Sequence, residues 1–308
     1  MKWRKLGLIY GPDGTLPWAL THAMVPTPYR ISREIIRIFF SSCDKHGVAR
    51  PSYIDVAGDN PTNILYIHDR PLFDIGVPGT FDENGILPCS VAPTPQNQIY
   101  MYYAGFELGT KIRYRLLTGL AISQDGGSTF KKTHTTPILE RTPYELFIRG
   151  GPYCLHDAGH FKLWYVAGSR WEEINKKSSP IYDIRYAESN DGIHWPSEGK
   201  TVIPVSKPDE YGFGRPCIIK KPGGGYRMFY SIRRRSLGAY RLGYAESRDG
   251  IQWERLDEKL NLDITPGSFD SDTITYAAPL EINGKLYLFY NGNNFGESGF
   301  AAAILEDE

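Results

Sequence analysis

The chain has 308 residues, enough for a single closed β architecture, and its 35 Lys and Arg residues balance its 35 Asp and Glu residues. A formal net charge of zero argues against a general binder of nucleic acid or of anionic membranes. The many Tyr, Phe and Trp residues favour strands, and 32 Gly with 22 Pro favour frequent turns, so we expect little helix. No apolar stretch is long enough to cross a bilayer, and membrane insertion is not expected.

The first predicted strand is the N-terminal run at residues 3–10, which precedes a first unit of four strands. The strands of this unit are predicted at residues 22–26, 35–41, 52–56 and 64–67. Its sequence is the most divergent of the units described below, because it lacks the turn motif that the next three share.

Three later units end in the same turn, Ser-x-Asp-Gly, followed shortly by an aromatic residue. The turns begin at Ser123, Ser189 and Ser247, roughly 60 residues apart. Asp-Gly supplies a tight turn whose left-handed residue only glycine adopts cheaply, and the aromatic residue restarts a strand. Each unit places an opening proline and three short strands before its turn. Four strands repeated at this period predict the blades of a β-propeller.

A fifth unit begins near Tyr276 and stops after its third strand, at residues 299–305. We therefore expect the N-terminal run at 3–10 to supply the missing outer strand beside residues 301–305, which would close the ring and cover an exposed edge. The sequence thus predicts one all-β domain, a five-bladed β-propeller. Its blades are placed at about residues 18–70, 80–134, 144–200, 210–258, and 269–308 together with 3–10.

The four cysteines lack the spacing of a metal site: Cys43, Cys89, Cys154 and Cys217. The last three follow the opening prolines of blades two to four, and small buried thiols are the simplest interpretation. We expect neither a metal nor a cofactor. Free thiols, and a start without the apolar core of a signal peptide, predict a cytoplasmic location.

Propeller geometry brings two kinds of segment to one mouth of the channel: the residues before each opening proline, and the loop after each second strand. The carboxylates there are candidate catalytic acids and bases: Asp82, Glu83, Glu145, Glu210, Asp270 and Asp272. The other candidates would bind substrate through aromatic faces, arginine forks or polar groups: His22, Arg149, Trp171, Arg215, Arg233, Arg235, Tyr276 and Asn293.

Several of these candidates have a structural interpretation as well. Asp82 and Asp270 each follow a phenylalanine, so both could be turn caps repeated for folding. His22 could be a hydrogen-bonded core histidine. The arginines could pair with neighbouring acids inside the channel or lie in a solvated loop: Arg149, Arg215 and residues 233–235.

Eight segments carry a family resemblance: residues 2–9, Thr21-His22-Ala23-Met24-Val25-Pro26, residues 79–88, residues 119–123, residues 137–141, the two Tyr-Ala-Glu-Ser runs at 186–189 and 244–247, and residues 288–293. In these segments, and over nearly its full length, the chain resembles the five-bladed propeller superfamily of arabinanases, xylosidases, invertases and mannoside phosphorylases. It is most similar to glycosidase-like proteins encoded among bacterial capsule and O-antigen genes. The resemblance implies a carbohydrate substrate and a role in bacterial surface-polysaccharide metabolism.

The chain departs from the hydrolases of that superfamily at their catalytic positions. Those enzymes have an aspartate base opening blade one, an aspartate in blade two, and a glutamate before Gly-Pro in blade three. Here blade one offers His22 without a carboxylate, blade two keeps Asp82, and blade three has Arg149 before its Gly-Gly-Pro. The basic side chains resemble the phosphate-binding lining of the phosphorylases in the superfamily.

Three functions follow from this pattern. The leading hypothesis is a carbohydrate-active enzyme that breaks or transfers a glycosidic bond at the channel mouth, with carboxylates of the second and fifth blades as opposing acid and base. The second is phosphorolysis, or transfer from a sugar donor that bears phosphate, with arginines binding the anion. The third is a glycan-binding propeller without catalytic activity. The expected partner is therefore a carbohydrate or a sugar phosphate.

Overall fold

A computed structural model describes residues 1–307, and nearly all of their regular structure is β-strand. Two helices are present in these residues, each of four residues: α1 (Asp257–Leu260) and α2 (Asn293–Gly296). Neither described helix has the length and apolar character needed to span a membrane. The all-β class predicted from turn and aromatic content is confirmed.

The chain divides into two compact units. The first unit comprises Met1–Asp74, Cys217–Ser231 and the residues from Ala239 to the end of the described chain. The second comprises Ile75–Pro216 and Ile232–Gly238. The single domain expected from the sequence stays a prediction.

One sheet of the first unit joins the two ends of the chain. Its strand order is β1-β20-β19-β18, with β1 (Lys2–Tyr10), β18 (Thr275–Ile282), β19 (Lys285–Asn291) and β20 (Phe300–Asp307). β1 runs antiparallel to β20, with Trp3 opposite Leu305 and Leu8 opposite Ala301. The N-terminal strand therefore occupies the outer position beside residues 301–305, as the sequence predicted.

A second sheet of the first unit is a simple meander in the order β2-β3-β4-β5: β2 (Thr21–Arg30), β3 (Ile35–Cys43), β4 (Ala49–Ala57) and β5 (Ile64–Ile67). Its core side packs against that of the sheet containing β1, through buried residues such as Ile38, Phe40, Phe289 and Phe300.

The second unit holds two further four-strand meanders. They are β6 (Ile86–Pro93), β7 (Ile99–Leu108), β8 (Tyr114–Ser123) and β9 (Lys131–Lys132), followed by β10 (Ile148–Asp157), β11 (His160–Ile174), β12 (Lys177–Ser189) and β13 (Lys200–Ile203). A short parallel pairing, Ile148 with Leu116, links β10 to β8, so the two meanders form a continuous sheet. The second and third predicted blades are therefore not separate sheets, because backbone hydrogen bonds connect them.

The last meander follows the same order of strands: β14 (Glu210–Lys220), β15 (Tyr226–Arg234), β16 (Tyr240–Ser247) and β17 (Glu254–Arg255). The boundary between the compact units passes through β14 and β15, since residues 217–231 belong to the first unit.

The repeated Ser-x-Asp-Gly turns are built as predicted. In the second of them, Asp191 Oδ1 accepts hydrogen bonds from the backbone N–H groups of Ile193 (2.8 Å) and His194 (2.9 Å). Gly192 has φ of +73°, which an L-residue adopts only at a cost. Asp249 makes the equivalent two bonds, both of 2.8 Å, in the third turn. The repeat is thus a true structural period, with one carboxylate ordering each turn.

Candidate functional site

Three of the six predicted catalytic carboxylates are buried in the turns and loops that precede first strands, and a fourth, Glu210, is buried in β14. Asp82 is 1% exposed, and Glu145 and Asp270 are fully buried. Each of them accepts a hydrogen bond from a tyrosine of the second strand of its unit and pairs with a basic side chain, as the next paragraphs describe. We name these arrangements the acid–tyrosine–base networks.

Asp82 shows the network in its simplest form. The Tyr103 hydroxyl donates to Asp82 Oδ2 (3.1 Å), and Lys132 Nζ, on the outer strand β9, donates to the same oxygen (2.9 Å). Gly119 lies opposite Tyr103 on β8, where an added Cβ would come within 2.2 Å of the tyrosine ring. The glycine leaves room for the ring, and the carboxylate links β7 to β9.

Asp270 repeats this arrangement in the first unit with the N-terminal strand. Lys5 Nζ of β1 lies 2.6 Å from Asp270 Oδ2, and the Tyr290 hydroxyl donates to the same oxygen (3.4 Å). Lys5 on the outer strand β1 is thus the counterpart of Lys132 on the outer strand β9, since each lysine pairs with the buried aspartate of its network. Both outer strands therefore supply a lysine to a buried aspartate. This similarity supports β1 as an outer strand independently of its backbone pairing with β20.

Glu145 is the most heavily engaged of the three. The Tyr165 hydroxyl lies 2.9 Å from each of its carboxylate oxygens, Arg149 is ion-paired with it, and Arg185 Nη1 lies 3.1 Å from Oε1. The backbone N–H of Gly199 also donates to Oε1 (2.9 Å). Arg149, predicted to bind substrate, lies within this network and also donates to the backbone carbonyl of Glu140 (2.8 Å).

A fourth network was missed by the sequence analysis. The Tyr230 hydroxyl donates to Asp257 Oδ1 (2.6 Å), and Arg255 Nη2 of the outer strand β17 donates to Oδ2 (2.6 Å). Burial and the adjacent carboxylate raise the pKa of Tyr230, so its hydroxyl stays a proton donor. One sequence feature does indicate these networks: a tyrosine recurs in four of the second strands. The sequence analysis used these tyrosines only as evidence for strands.

Three other predicted residues lie in or just before first strands of the second unit. Glu83 is partly exposed and accepts a hydrogen bond from the backbone N–H of Gly79 (2.6 Å). Glu210 is buried at the first position of β14. Arg215 is buried with φ of +33° and donates to the backbone carbonyl of Cys89 (3.2 Å). A non-glycine residue at this angle is strained.

The loop around α2 brings four predicted residues of the first unit together: His22, Asp272, Tyr276 and Asn293. We call these residues, with Tyr240, Asn294 and Phe295, the α2-loop site. His22, Tyr276, Asn294 and Phe295 all have φ between +50° and +65°. Non-glycine residues held in this region cost free energy, and such strain is concentrated at functional sites.

Aromatic rings form the floor of the α2-loop site. Tyr276 and Phe295 are stacked, with ring centroids 6.2 Å apart and planes 20° apart, and Tyr240 contacts both rings. Phe295 remains 47% exposed. Tyr240 and Phe295 were absent from the predicted set, although Phe295 falls in the loop after a second strand, where such residues were sought.

Asp272 presents an exposed carboxylate on an ordered backbone. Asn293 Oδ1 accepts the N–H groups of Asp272 (2.8 Å) and Thr273 (3.0 Å), and Arg241 Nη1 donates to the carbonyl of Asp272 (2.8 Å). The carboxylate itself has no hydrogen bond or ion pair with any of residues 1–307. Its backbone is fixed while its charged group is open to a ligand.

His22 is held at the same loop. Its backbone N–H donates to the carbonyl of Glu297 (3.1 Å), and its Nδ1 lies 2.8 Å from the Thr21 hydroxyl. Burial lowers the pKa of His22, against the opposing effects of the Glu297 charge and a hydrogen bond with the Asn294 backbone. The imidazole is therefore neutral near pH 7 and can accept a proton.

The second unit gathers the remaining predicted residues with tyrosines. Arg233 lies 4.3 Å from the centroid of the Tyr211 ring and donates to the Tyr182 hydroxyl (3.1 Å). Arg235 pairs with Glu172 (2.8 Å). Trp171 packs edge-on against Tyr114, with ring centroids 5.3 Å apart. These contacts make a largely buried aromatic and basic cluster, in which Arg233, Tyr182 and Tyr211 are each less than 9% exposed. It is separate from the acid–tyrosine–base networks.

The two clusters differ in what they can do chemically. The α2-loop site combines an aromatic platform, a free carboxylate and a neutral imidazole, which suits binding a sugar ring and moving a proton. The cluster around Arg233 is largely buried, and its cation–π contact and hydrogen bond join its own side chains.

Comparisons with known proteins place this chain in a family. No protein-family model matches it. Two relatives from Mycobacterium tuberculosis, "Uncharacterized protein MT1551" and "Uncharacterized protein Rv1502", are each 34% identical to it over the whole of both proteins.

Solved structures show the fold. The structure of BT0996 in an RGII complex matches 98% of this chain and 91% of its own length, with a TM-score of 0.74 and 20% identity. A "Glycoside hydrolase" covers 99% and 92%, with a TM-score of 0.73 and 20% identity. A structure from the GH130 family of mannoside phosphorylases covers 96% and 90%, with a TM-score of 0.66 and 17% identity.

The fold is therefore that of the glycoside-hydrolase-like propeller proteins. The full-length similarity at 34% identity is stronger evidence of common family membership than the similarity to the solved structures at 20% identity or less. The chain belongs to the same protein family as MT1551 and Rv1502 of Mycobacterium tuberculosis.

Proposed function

We propose that this protein is a carbohydrate-active enzyme that breaks or transfers a glycosidic bond at the α2-loop site. The observation that carries the proposal is the free carboxylate of Asp272, fixed through its backbone by Asn293 and Arg241. Solved structures named for glycoside hydrolases and mannoside phosphorylases have the same fold, which supports a carbohydrate substrate.

The aromatic floor of the site provides binding. The stacked pair of Tyr276 and Phe295 offers a flat apolar surface that fits the C–H face of a pyranose ring. Strain at both residues is tolerated because the loop holds them, and a strained, exposed aromatic residue indicates selection for contact rather than for stability.

Proton transfer is assigned to Asp272 and His22. A carboxylate and a neutral imidazole can exchange protons with a leaving or attacking hydroxyl group near neutral pH. General acid–base catalysis by such a group contributes about 10²–10⁴-fold to the rate.

The buried carboxylates receive a different role in this proposal. Asp82, Glu145 and Asp270 have at most 1% of their surface exposed, so no substrate atom reaches them in this conformation. We assign them to holding strands together. Glu83 stays a predicted acid–base residue. Glu210 is 3% exposed, and the argument from burial applies to it as well.

The wider setting is part of the same proposal. A five-bladed ring closed by β1 would form one domain, and the pairing of β1 with β20 supports that closure. We place the enzyme in the cytoplasm, a location that its four free cysteines favour, and in bacterial surface-polysaccharide metabolism, as the sequence resemblance implies.

A turnover assay with a matched pair of variants tests the assignment. Purified protein is incubated with a library of glycosides and sugar nucleotides, and products are detected by mass spectrometry. Asp272→Asn should lose about 10²-fold or more of the activity found. Asp59→Asn, which alters an exposed carboxylate in the turn before β5, should keep it. Full activity in Asp272→Asn would contradict the proposal.

A second function, glycan binding without turnover, is favoured by one observation: three predicted catalytic acids are engaged in the buried networks. It predicts that glycosides bind at the α2-loop site and that no product forms with any of them. The phosphate-donor alternative has weaker support, because Arg149 is engaged with Glu145. Products that depend on added phosphate would favour it nonetheless.

A further inference from the structure

The second unit contains a cleft of about 310 Å³ that the sequence analysis did not identify. It lies over the middle of β11 and β12, at residues 167–170 and 181–185, and its wall includes the loop before β10 and the residues after β13. Six of its lining residues matter for the argument: Tyr144, Ser169, Arg170, Tyr182, Asp183 and Arg185. Clefts of this size accommodate small molecules.

Asp183 is the polar centre of this cleft. Arg185 Nε donates to its Oδ1 (3.0 Å), and the Thr201 hydroxyl of β13 donates to its Oδ2 (3.3 Å). An ionised carboxylate has about four acceptor positions, and the side chain keeps 21% of its surface exposed. Its orientation is therefore fixed while acceptor capacity remains.

The repeat does not account for Asp183. When the third strands are aligned on their shared Tyr-Ala-Glu-Ser segment, Asp183 and Arg185 of β12 correspond to Arg241 and Gly243 of β16. Gly243 makes room for the ring of Tyr230, since an added Cβ would lie 2.5 Å from it. In the third sequence repeat, Arg185 stands where that glycine would be. Its side chain donates a hydrogen bond to the Asp183 carboxylate at the cleft wall.

The charges around Asp183 are balanced rather than strongly positive. Arg185 is shared with Glu145 (3.1 Å) and Glu198 (3.3 Å), and Arg170 pairs with Glu172 (3.1 Å). Burial raises the pKa of Asp183, and Arg185 opposes that effect. A cleft of balanced charge with a rigid acceptor and an exposed tyrosine (Tyr144, 59%) suits an uncharged ligand rich in hydroxyl groups.

We propose that this cleft is a saccharide-binding site of the second unit, in which Asp183 accepts hydrogen bonds from sugar hydroxyl groups and the Tyr144 ring packs on the sugar. The site is distinct in its residues from the α2-loop site and does not depend on catalysis there. Arg185 and Thr201 act as positioning residues, because they hold the carboxylate and do not need to contact the ligand.

Binding of a panel of neutral methyl glycosides, measured by calorimetry and by ligand-observed NMR, tests the proposal. We expect millimolar or tighter binding of at least one glycoside. Asp183→Asn and Tyr144→Ala should each weaken it about tenfold or more, the loss expected for one hydrogen bond to a charged group or one stacking contact. Glu173→Gln, which alters an exposed carboxylate of β11 outside the cleft, should bind as the unaltered protein does.

The pH dependence gives a second readout. Affinity should fall as the pH drops through the raised pKa of Asp183, because the protonated group loses acceptor capacity. Charged groups that face it from neighbouring elements are Arg185 of β12 and Glu145 before β10, with Glu198 before β13 behind Arg185. Asp183→Asn should remove this dependence.

Two results would overturn the proposal. One is the absence of binding for every glycoside in the panel by a protein that unfolds cooperatively. The other is equal affinity in Asp183→Asn, Tyr144→Ala and the unaltered chain. Asp272→Asn separates this site from the proposed function, because it should abolish turnover while leaving the affinity that depends on Asp183 unchanged.

Discussion

At the scale of single residues, burial separates carboxylates that look equivalent in the sequence. Asp82 and Glu83 are adjacent, yet Asp82 is buried against Tyr103 and Lys132, whereas Glu83 is partly exposed and accepts a hydrogen bond from a loop N–H. A buried charge must be paired to be tolerated, and an exposed charge need not be. Among the predicted catalytic carboxylates, we therefore assign chemistry with a substrate to the exposed ones.

The pair Asp82→Asn and Glu83→Gln measures this difference. Asp82→Asn removes a charge-assisted hydrogen bond to Lys132 and should lower the free energy of unfolding by about 1–3 kcal/mol. Glu83→Gln should stay within about 0.5 kcal/mol, as expected for a surface change. Urea unfolding followed by tryptophan fluorescence gives both values. Equal destabilisation by the two changes would contradict a structural role for Asp82.

The turn aspartates predict a dependence of stability on pH. Burial would raise the pKa of Asp125, but hydrogen bonds from Thr129 and Ser123 outweigh it and lower the pKa to about 2. Because this value is lower than in the unfolded chain, the carboxylate stabilises the fold above pH of about 4. That contribution disappears as the pH falls towards 2.

The difference in Tm between the unaltered chain and Asp125→Ala should therefore be largest near neutral pH and should narrow as the pH falls from about 4 towards 2. Asp59→Ala, at an exposed position, should show no such change. Thermal unfolding at a series of pH values provides the measurement. A difference for Asp125→Ala that is constant from pH 7 to the acid end would show that the charge does not support the turn.

Residue roles were the hardest part to predict from the sequence. The sequence placed Asp82 and Asp270 correctly at the starts of their units, because a strand and an opening proline follow each of them. It could not show that Tyr103 or Lys132 would face them, since those contacts depend on which side of each strand faces the acid. A shift of one residue in register reverses that side.

At the scale of structural elements, β1 shows how side-chain chemistry can support backbone pairing. β1 pairs with β20, and its Lys5 neutralises Asp270, which lies in the turn before β18 of that sheet. Turn spacing and an unfinished last unit were enough to predict this pairing. The basic residue at that position of the strand was not predicted, although Lys132 and Arg255 lie on other outer strands.

Two lysines of β1 provide a matched comparison. Lys5→Met leaves the fully buried Asp270 without its cation and should lower the free energy of unfolding by about 3–5 kcal/mol. Lys2→Met removes only an exposed pair with Glu306 and should leave the free energy of unfolding nearly unchanged, because exposed ion pairs contribute little. Chemical unfolding of the two variants tests this, and near-identical midpoints would argue against a network that includes β1.

The α2 loop illustrates the limit of prediction for an element. The sequence indicated that residues after a second strand would be functional, which placed Asn293 in the candidate set. It did not indicate that Asn294 and Phe295 would both take left-handed dihedral angles. Such angles in non-glycine residues arise from the surrounding tertiary contacts, which local propensity does not encode.

At the scale of the whole molecule, the repeat and the turns were sufficient to predict an all-β propeller-like fold, and the solved structures share it. Their similarity at 20% identity or less extends to the fold. The continuous pairing of β8 with β10 was not predicted, because parallel contacts between adjacent sheets leave no mark in local sequence. The number of blades, five, and the closure of the ring by β1 are part of the proposal made above.

The central claim is that the molecule separates structural from catalytic carboxylates, and the neighbours Asp270 and Asp272 test it in one loop. Turnover and the free energy of unfolding should be measured together for Asp270→Asn and Asp272→Asn. We predict that Asp270→Asn loses about 1–3 kcal/mol of stability while keeping its activity per folded molecule. Asp272→Asn should keep its stability and lose about 10²-fold or more of its turnover. The reverse pattern, with activity lost in Asp270→Asn and retained in Asp272→Asn, would contradict the account.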